Sequence, residues 1–126
     1  MMAVRQATPG RQLAEHFSET ELACRCCGRL QVHPELVSKL ETLRRLAGKP
    51  VLVNSGYRCP AHNRAVGGAA NSYHLKGMAA DIRVPGLVLA ELNKLAQQAG
   101  FTGIGTYPSQ GFIHVDVRGY QARWQG

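Results

Sequence analysis

The chain has 126 residues, 44% apolar and 18% charged, enough for one domain with a single core and too few for two. No stretch approaches the roughly 20 apolar residues a membrane span requires. Fifteen Lys and Arg against eight Asp and Glu give +7, which attracts anionic partners, but the basic residues are scattered and the few aromatics do not interleave with them. Nucleic acid is therefore set aside as a partner.

Residues 1–16 are polar and without period, so they read as an N-terminal arm that is ordered only by docking. Residues 17–126 read as one domain. Ser18-Glu19-Thr20-Glu21 matches a capping box and starts a short helix. Pro34 suits a first helical position, and Leu36, Leu40, Leu43 and Ala47 recur at helical spacing before Gly48 and Pro50 end the run. Val51-Leu52-Val53 predicts a strand that delivers the chain into the Ser55-Gly56-Tyr57-Arg58 turn.

Pro60 to Val66 predicts one or two helical turns, and Gly67-Gly68 marks a tight connection. Ala79 to Val84 reads as a buried strand. Val88, Leu92, Leu95 and Ala99 give a second amphipathic helix stopped by Gly100. Gly103–Tyr107 and Phe112–Val117 predict a hairpin around Pro108-Ser109-Gln110-Gly111. Helices first and an antiparallel sheet afterwards make the class α+β.

His74 and Asp81 stand seven residues apart among mostly small residues, and His114 lies on the last predicted strand. Two neutral imidazoles and one carboxylate are the ligand type of catalytic zinc, with the fourth position left for water or substrate. A single carboxylate leaves the centre net positive, so its Lewis acidity survives. On the same strand side chains alternate, so His114 and Asp116 share one wall while Ile113, Val115 and Val117 face the core.

Ser72-x-His74-x-x-Gly77-x-Ala79-x-Asp81 with a strand-borne His114 resembles the zinc D-alanyl-D-alanine carboxypeptidases and dipeptidases, within a group that includes lysostaphin-like and hedgehog-like folds. Asn54-Ser55-Gly56-Tyr57-Arg58, Asn63, Gly67-Gly68 and Phe112-Ile113-His114-Val115-Asp116 extend the resemblance to small single-domain murein peptidases of phages and bacterial envelopes. It runs from about Phe17 to Trp124, and the five blocks recur in order. The resemblance implies a small antiparallel sheet with flanking helices, His74, Asp81 and His114 as ligands of a catalytic zinc ion, and a peptidoglycan peptide as substrate.

Some relatives place a carboxylate three residues before the last metal histidine, where this chain has Gly111. Asp116 is the substitute as general base, or else it orients a ligand imidazole or pairs with Arg118. His62 is a weaker candidate base. The resemblance puts Arg58 at the cleft, to bind an oxyanion or a terminal carboxylate, and gives Ser72 a substrate carbonyl or carboxylate, against simple turn capping. Tyr107 and Trp124 are candidate cleft walls, against plain packing.

Cys24-x2-Cys27 and Cys59-x2-His62 have the spacing of a second, structural zinc site, with Cys26 left over. One or two disulfides, or four free thiols, are the competing readings. The expected activity is cleavage of an amide bond in murein stem peptides or crosslinks by a monomeric zinc peptidase of carboxypeptidase or endopeptidase type. A non-catalytic wall-binding or phage structural module is the alternative. With no apolar leader in Met1–Thr8, the expected setting is a phage product held in the cytoplasm until lysis, or the cell wall or periplasm.

Overall fold

Capping residues start the first helices where the sequence places them. In the computed structural model, which describes residues 4–126, the Ser18 hydroxyl opens α1 (Glu19–Leu22) by accepting from the Glu21 amide, and the Glu21 carboxylate accepts from the Ser18 amide. Pro34 opens α2 (Pro34–Ala47), which ends at Gly48 in the left-handed region, φ 64°. Pro60 opens α3 (Pro60–Ala65), and α4 (Leu89–Ala99) ends at Gly100, φ 97°.

Nine strands accompany these helices among the described residues. Two short ladders occupy the N-terminal part: β1 (Arg5–Gln6) pairs with β4 (Arg29–Leu30), and β2 (Gln12–Ala14) with β3 (Phe17–Ser18). The main sheet comprises β5 (Leu52–Ser55), β6 (Ala79–Arg83), β7 (Gly103–Tyr107), β8 (Phe112–Asp116) and β9 (Ala122–Gln125), in the order β5-β6-β8-β7-β9. All its pairs are antiparallel except β9, which lies parallel to β7. The class is α+β, as the element order predicts.

Alternation divides the sheet into two faces. Ala80, Ile82, Ile104, Ile113 and Val115 are fully buried in one cluster with Leu36, Leu40 and Leu43 of α2 and Leu92 and Ala96 of α4. Asp81, His114 and Asp116 take the alternate positions and line the other face. No described helix is long and apolar enough to cross a membrane.

The N-terminal strands and β9 are departures from the pattern read in the sequence. Two- and three-residue strands are too short to leave an alternation, and β9 is an edge strand whose pairing depends on a distant partner. Met1, Met2 and Ala3, the first residues of the expected arm, lie outside the described residues. The rest of that segment is fastened by Glu19, a carboxylate 1% exposed that takes two hydrogen bonds from the Arg5 guanidinium, at 2.9 and 2.6 Å, and one from the Thr8 amide at 2.8 Å.

The Arg5 guanidinium, helped by the Thr8 amide, holds the Glu19 carboxyl down at about 2. A carboxyl depressed on folding contributes stability that is complete above the usual carboxylate range and is lost as pH falls through the folded value. Arg5→Ala is therefore expected to lower the thermal midpoint by several degrees near neutral pH, with the gap to the parent closing as pH falls towards about 2. Thermal unfolding followed by circular dichroism across that range checks it, and a gap independent of pH would refute it.

Candidate metal centre

One row of the main sheet carries most of the site. Ser55 on β5 pairs with Asp81 on β6, Asp81 with His114 on β8, His114 with Gly105 on β7, and Gly105 with Trp124 on β9. The neighbouring row sets Asp116 between Ala79 and Gly103. Both glycines are needed for space, since a Cβ at Gly105 would run into the Trp124 indole and one at Gly103 into the Asp116 carboxylate. His74 arrives from outside the sheet, on a single 3-10 turn, Tyr73–Lys76, capped by the Ser72 hydroxyl at 3.2 Å from the His74 amide.

His74 Nε2 and His114 Nδ1 each lie 3.1 Å from Asp81 Oδ1, and all three residues are buried. The far nitrogens are already committed. His74 Nδ1 is 2.8 Å from the Gly56 carbonyl, and His114 Nε2 is 2.7 Å from Asp116 Oδ2. Carbonyl and carboxylate oxygens only accept, so each neutral ring carries its one proton on that far side. The near nitrogens then present lone pairs to Asp81, and three acceptors meet with no proton between them.

Such a meeting in a buried place is unfavourable unless a cation occupies it. The chemistry of the donor set therefore fits a divalent ion held by His74, Asp81 and His114, whose ligand atoms lie within 4.8 Å of one another. Without an ion a proton takes its place: burial alone would lower the His114 imidazole, but hydrogen bonds with Asp116 and Asp81 more than offset it and hold the ring above its usual range, so ion and proton compete for the same lone pair. Burial would raise Asp81 and Asp116, yet His114 draws both well below the usual carboxylate range, aided by His74 at Asp81 and by Arg118 at Asp116.

Each carboxylate also has an arginine. Arg58 Nη2 donates to Asp81 Oδ2 at 3.0 Å, its Nε to Ser55 Oγ at 3.0 Å and its Nη1 to Asn63 Oδ1 at 3.2 Å. Arg118 Nη2 donates to Asp116 Oδ2 at 2.6 Å, while its Nε and backbone amide reach Oδ1 at 2.9 and 3.1 Å. Asp116 is 0% exposed, sealed between His114 and Arg118.

The three candidate ligands line a cleft of about 880 Å³, with Arg58, Ser72, Tyr107, Arg118, Tyr120 and Trp124 among its other walls. Asp81 is the one carboxylate in that lining. Tyr107 stacks on Phe112 with ring centres 4.8 Å apart and accepts from Trp124 Nε1 at 2.8 Å, and the Trp124 ring lies 5.2 Å from that of His114. The Arg118 guanidinium lies 4.6, 5.5 and 5.0 Å from the ring centres of Tyr73, Tyr120 and Trp124.

The sequence did not single out Tyr73 or Tyr120, or the Gly56 carbonyl, and no local spacing signals them: each acquires its part only through the fold. His62 is not part of the cleft wall; its amide donates to Cys59 Sγ at 3.4 Å. The thiols of Cys24, Cys26, Cys27 and Cys59 form a second cluster, within 4.8 Å of one another. Cys26, left over in the half-site reading, holds the place given there to His62.

A family model described as Peptidase M15 matches residues 15–116. The chain belongs to the Peptidase M15 family. Relatives of this M15 chain include the peptidoglycan L,D-endopeptidase MepK of Escherichia coli, 38% identical over 93 residues that cover 68% of the chain and 51% of the relative. The probable peptidoglycan L,D-endopeptidase MepK of Haemophilus influenzae is 36% identical over 107 residues, 76% and 57% of the two chains. The zinc D-Ala-D-Ala carboxypeptidase of Streptomyces albus G is 38% identical over 89 residues, 68% and 34%. The chain thus spans about half the length of the MepK relatives.

Asp116→Asn keeps the shape of this M15 site but can offer an amide N–H where His114 needs an acceptor, which favours the tautomer with its proton on Nδ1. It is expected to weaken divalent-metal binding at the centre about 10- to 100-fold. Competition against a chromophoric chelator measures the change, and an undiminished affinity would remove Asp116 from this part.

Proposed function

We propose that this chain is a zinc metallopeptidase that hydrolyses an amide bond in the stem peptides or crosslinks of peptidoglycan. The observation that carries the proposal is the meeting of three lone-pair donors, from His74, Asp81 and His114, in the wall of an open cleft. Two imidazoles and one carboxylate suit zinc, and three protein ligands leave a position for substrate. Bound there, zinc would polarise the scissile carbonyl as a Lewis acid. Relatives named as peptidoglycan L,D-endopeptidases support the substrate class, and a relative named as a zinc D-Ala-D-Ala carboxypeptidase supports the metal.

Around that centre the chain's own groups bind and orient. Arg58 has five N–H groups, three of them engaged by Asp81, Ser55 and Asn63, which leaves two for an oxyanion or a terminal carboxylate. The Ser72 oxygen is taken by the His74 amide, and its hydrogen remains to be donated to a substrate carbonyl or carboxylate. Tyr107 and Trp124 form an apolar wall. Lys76 adds positive charge to the cleft, which favours a peptide bearing carboxylates.

Asp116 is a positioning residue in this reading rather than the general base. Its oxygens face His114 and Arg118 and are shut off from the cleft, and a carboxylate held so far down is a poor proton acceptor. Glycan cleavage fits less well, because it uses two carboxylic acids and this cleft has one. The reading places the chain, as a monomer, at the cell wall, whether released by phage lysis or exported.

A second reading, a wall-binding or phage structural module that keeps the pocket without turnover, rests on the same single carboxylate and on Gly111 in an exposed turn. Purified murein separates the two. The zinc-loaded chain is expected to convert crosslinked muropeptides to smaller products, to stop with a chelator and to resume with added zinc. Arg58→Lys is expected to lower kcat about 100- to 1,000-fold, since a point charge cannot hold Asp81, Ser55, Asn63 and substrate together. Retention on murein with no product from the loaded chain would decide for the binding module.

A further inference from the structure

Away from the cleft, four sulfurs crowd one point. Cys24, Cys26 and Cys27 lie in the turn between α1 and β4, and Cys59 immediately precedes α3. Cys26 Sγ is 3.7 Å from Cys24 Sγ and 3.3 Å from Cys59 Sγ, and all four sulfurs lie within 4.8 Å of one another. Four sulfurs arranged tetrahedrally about one ion, at the usual zinc–sulfur distance of about 2.3 Å, stand about 3.8 Å apart. A disulfide joins two sulfurs at about 2 Å and gives no reason for a group of four.

The backbone is arranged for negative sulfur. The Cys59 amide donates to Cys24 Sγ at 3.4 Å, and the His62 amide donates to Cys59 Sγ at the same distance. The turn is closed by Gly28, φ 71°, whose amide reaches the Cys24 carbonyl at 2.9 Å, and by the Cys24 amide on the Arg29 carbonyl at 2.7 Å.

We propose that Cys24, Cys26, Cys27 and Cys59 hold a structural zinc ion as four thiolates, with every coordination position filled by protein. Loading releases four thiol protons to solvent and involves no change of oxidation state. With no position left for substrate, this centre is a fastener. It joins the N-terminal layer to the loop 56–59, already tied by the Tyr57 amide to the Leu22 carbonyl at 2.9 Å and by the Arg58 amide to the His74 carbonyl at 3.1 Å. That loop supplies the Gly56 carbonyl for His74 and the Arg58 guanidinium for Asp81, so the sulfur centre positions the cleft from behind.

The test is metal counting on the full chain purified with zinc, beside a His74→Ala/His114→Ala variant that lacks the cleft ligands. The parent is expected to hold two zinc ions and the variant one, and cobalt loaded into the variant to show thiolate-to-cobalt charge-transfer absorption. The four thiols are expected to resist alkylation until chelator and denaturant are added. A folded variant that holds no metal, cobalt absorption without thiolate character, or a parent mass short by two or four hydrogens would overturn the proposal. One zinc in the parent that vanishes in the variant speaks for the cleft and against the sulfur centre; one zinc that survives does the reverse. Cys27→Ser is expected to lose the sulfur-bound zinc and melt earlier, and if it does not fold, the cobalt spectrum still decides.

Discussion

Where two imidazole protons sit governs the site. The Gly56 carbonyl takes one and the Asp116 carboxylate the other, which turns His74 Nε2 and His114 Nδ1 towards Asp81 as bare lone pairs. Neither acceptor touches the place where an ion would bind. Exchanging Asp116 for a donor would reverse the His114 tautomer and set an N–H against the ion while every ligand kept its name, whereas the Gly56 acceptor is backbone and depends on the path of its loop. The second residues behind a metal ligand therefore limit the sequence as firmly as the ligands themselves.

The sheet meets this demand because its two faces do different work. Ile113 and Val115 lock β8 into the core with Ile82, Ile104 and the leucines of α2, so the register that carries His114 opposite Asp81 cannot slip by one residue without burying charge and exposing the core. On the site face small residues make room, with Ala79 and Gly103 beside Asp116 and Gly105 beneath Trp124. A carboxylate with no exposure is costly unless fully paired. Arg118 supplies that pairing, and its guanidinium is itself held among Tyr73, Tyr120 and Trp124.

The legible parts were those decided locally. Capping at Ser18, Pro34 at a helix start, Gly48 and Gly100 at helix ends, and the alternation on β8 depend on a few neighbouring residues, and the structure repeats them. The fold class followed from element order alone. The candidate ligands were readable because His74 and Asp81 lie close in sequence and His114 falls in a strand of clear period. What escaped was set by distance: β9 needs β7 beside it, Arg118 needs aromatic rings from two other segments, and the company of Cys26 depends on how the turn 24–28 meets Cys59. For Asp116 the alternation on β8 set it on the wall of His114 and left base and orienter open; that its oxygens are buried against His114 and Arg118 belongs to the fold.

Charge accounting ties the two clusters together and shows why their chemistry should differ. In the cleft Asp81 is matched by Arg58 and Asp116 by Arg118, so the four groups sum to zero and an ion among them would keep its full double charge. That is the condition for polarising a carbonyl. Four thiolates around an ion reverse the balance to net negative and fill every position, which suits a fastener and removes any Lewis acidity. The same element can thus be reactive in one place and inert in another a short way along the chain, with Arg58 and Cys59 adjacent in sequence and serving opposite ends. The loop that holds them is where the fold's stability and the cleft's geometry become one requirement.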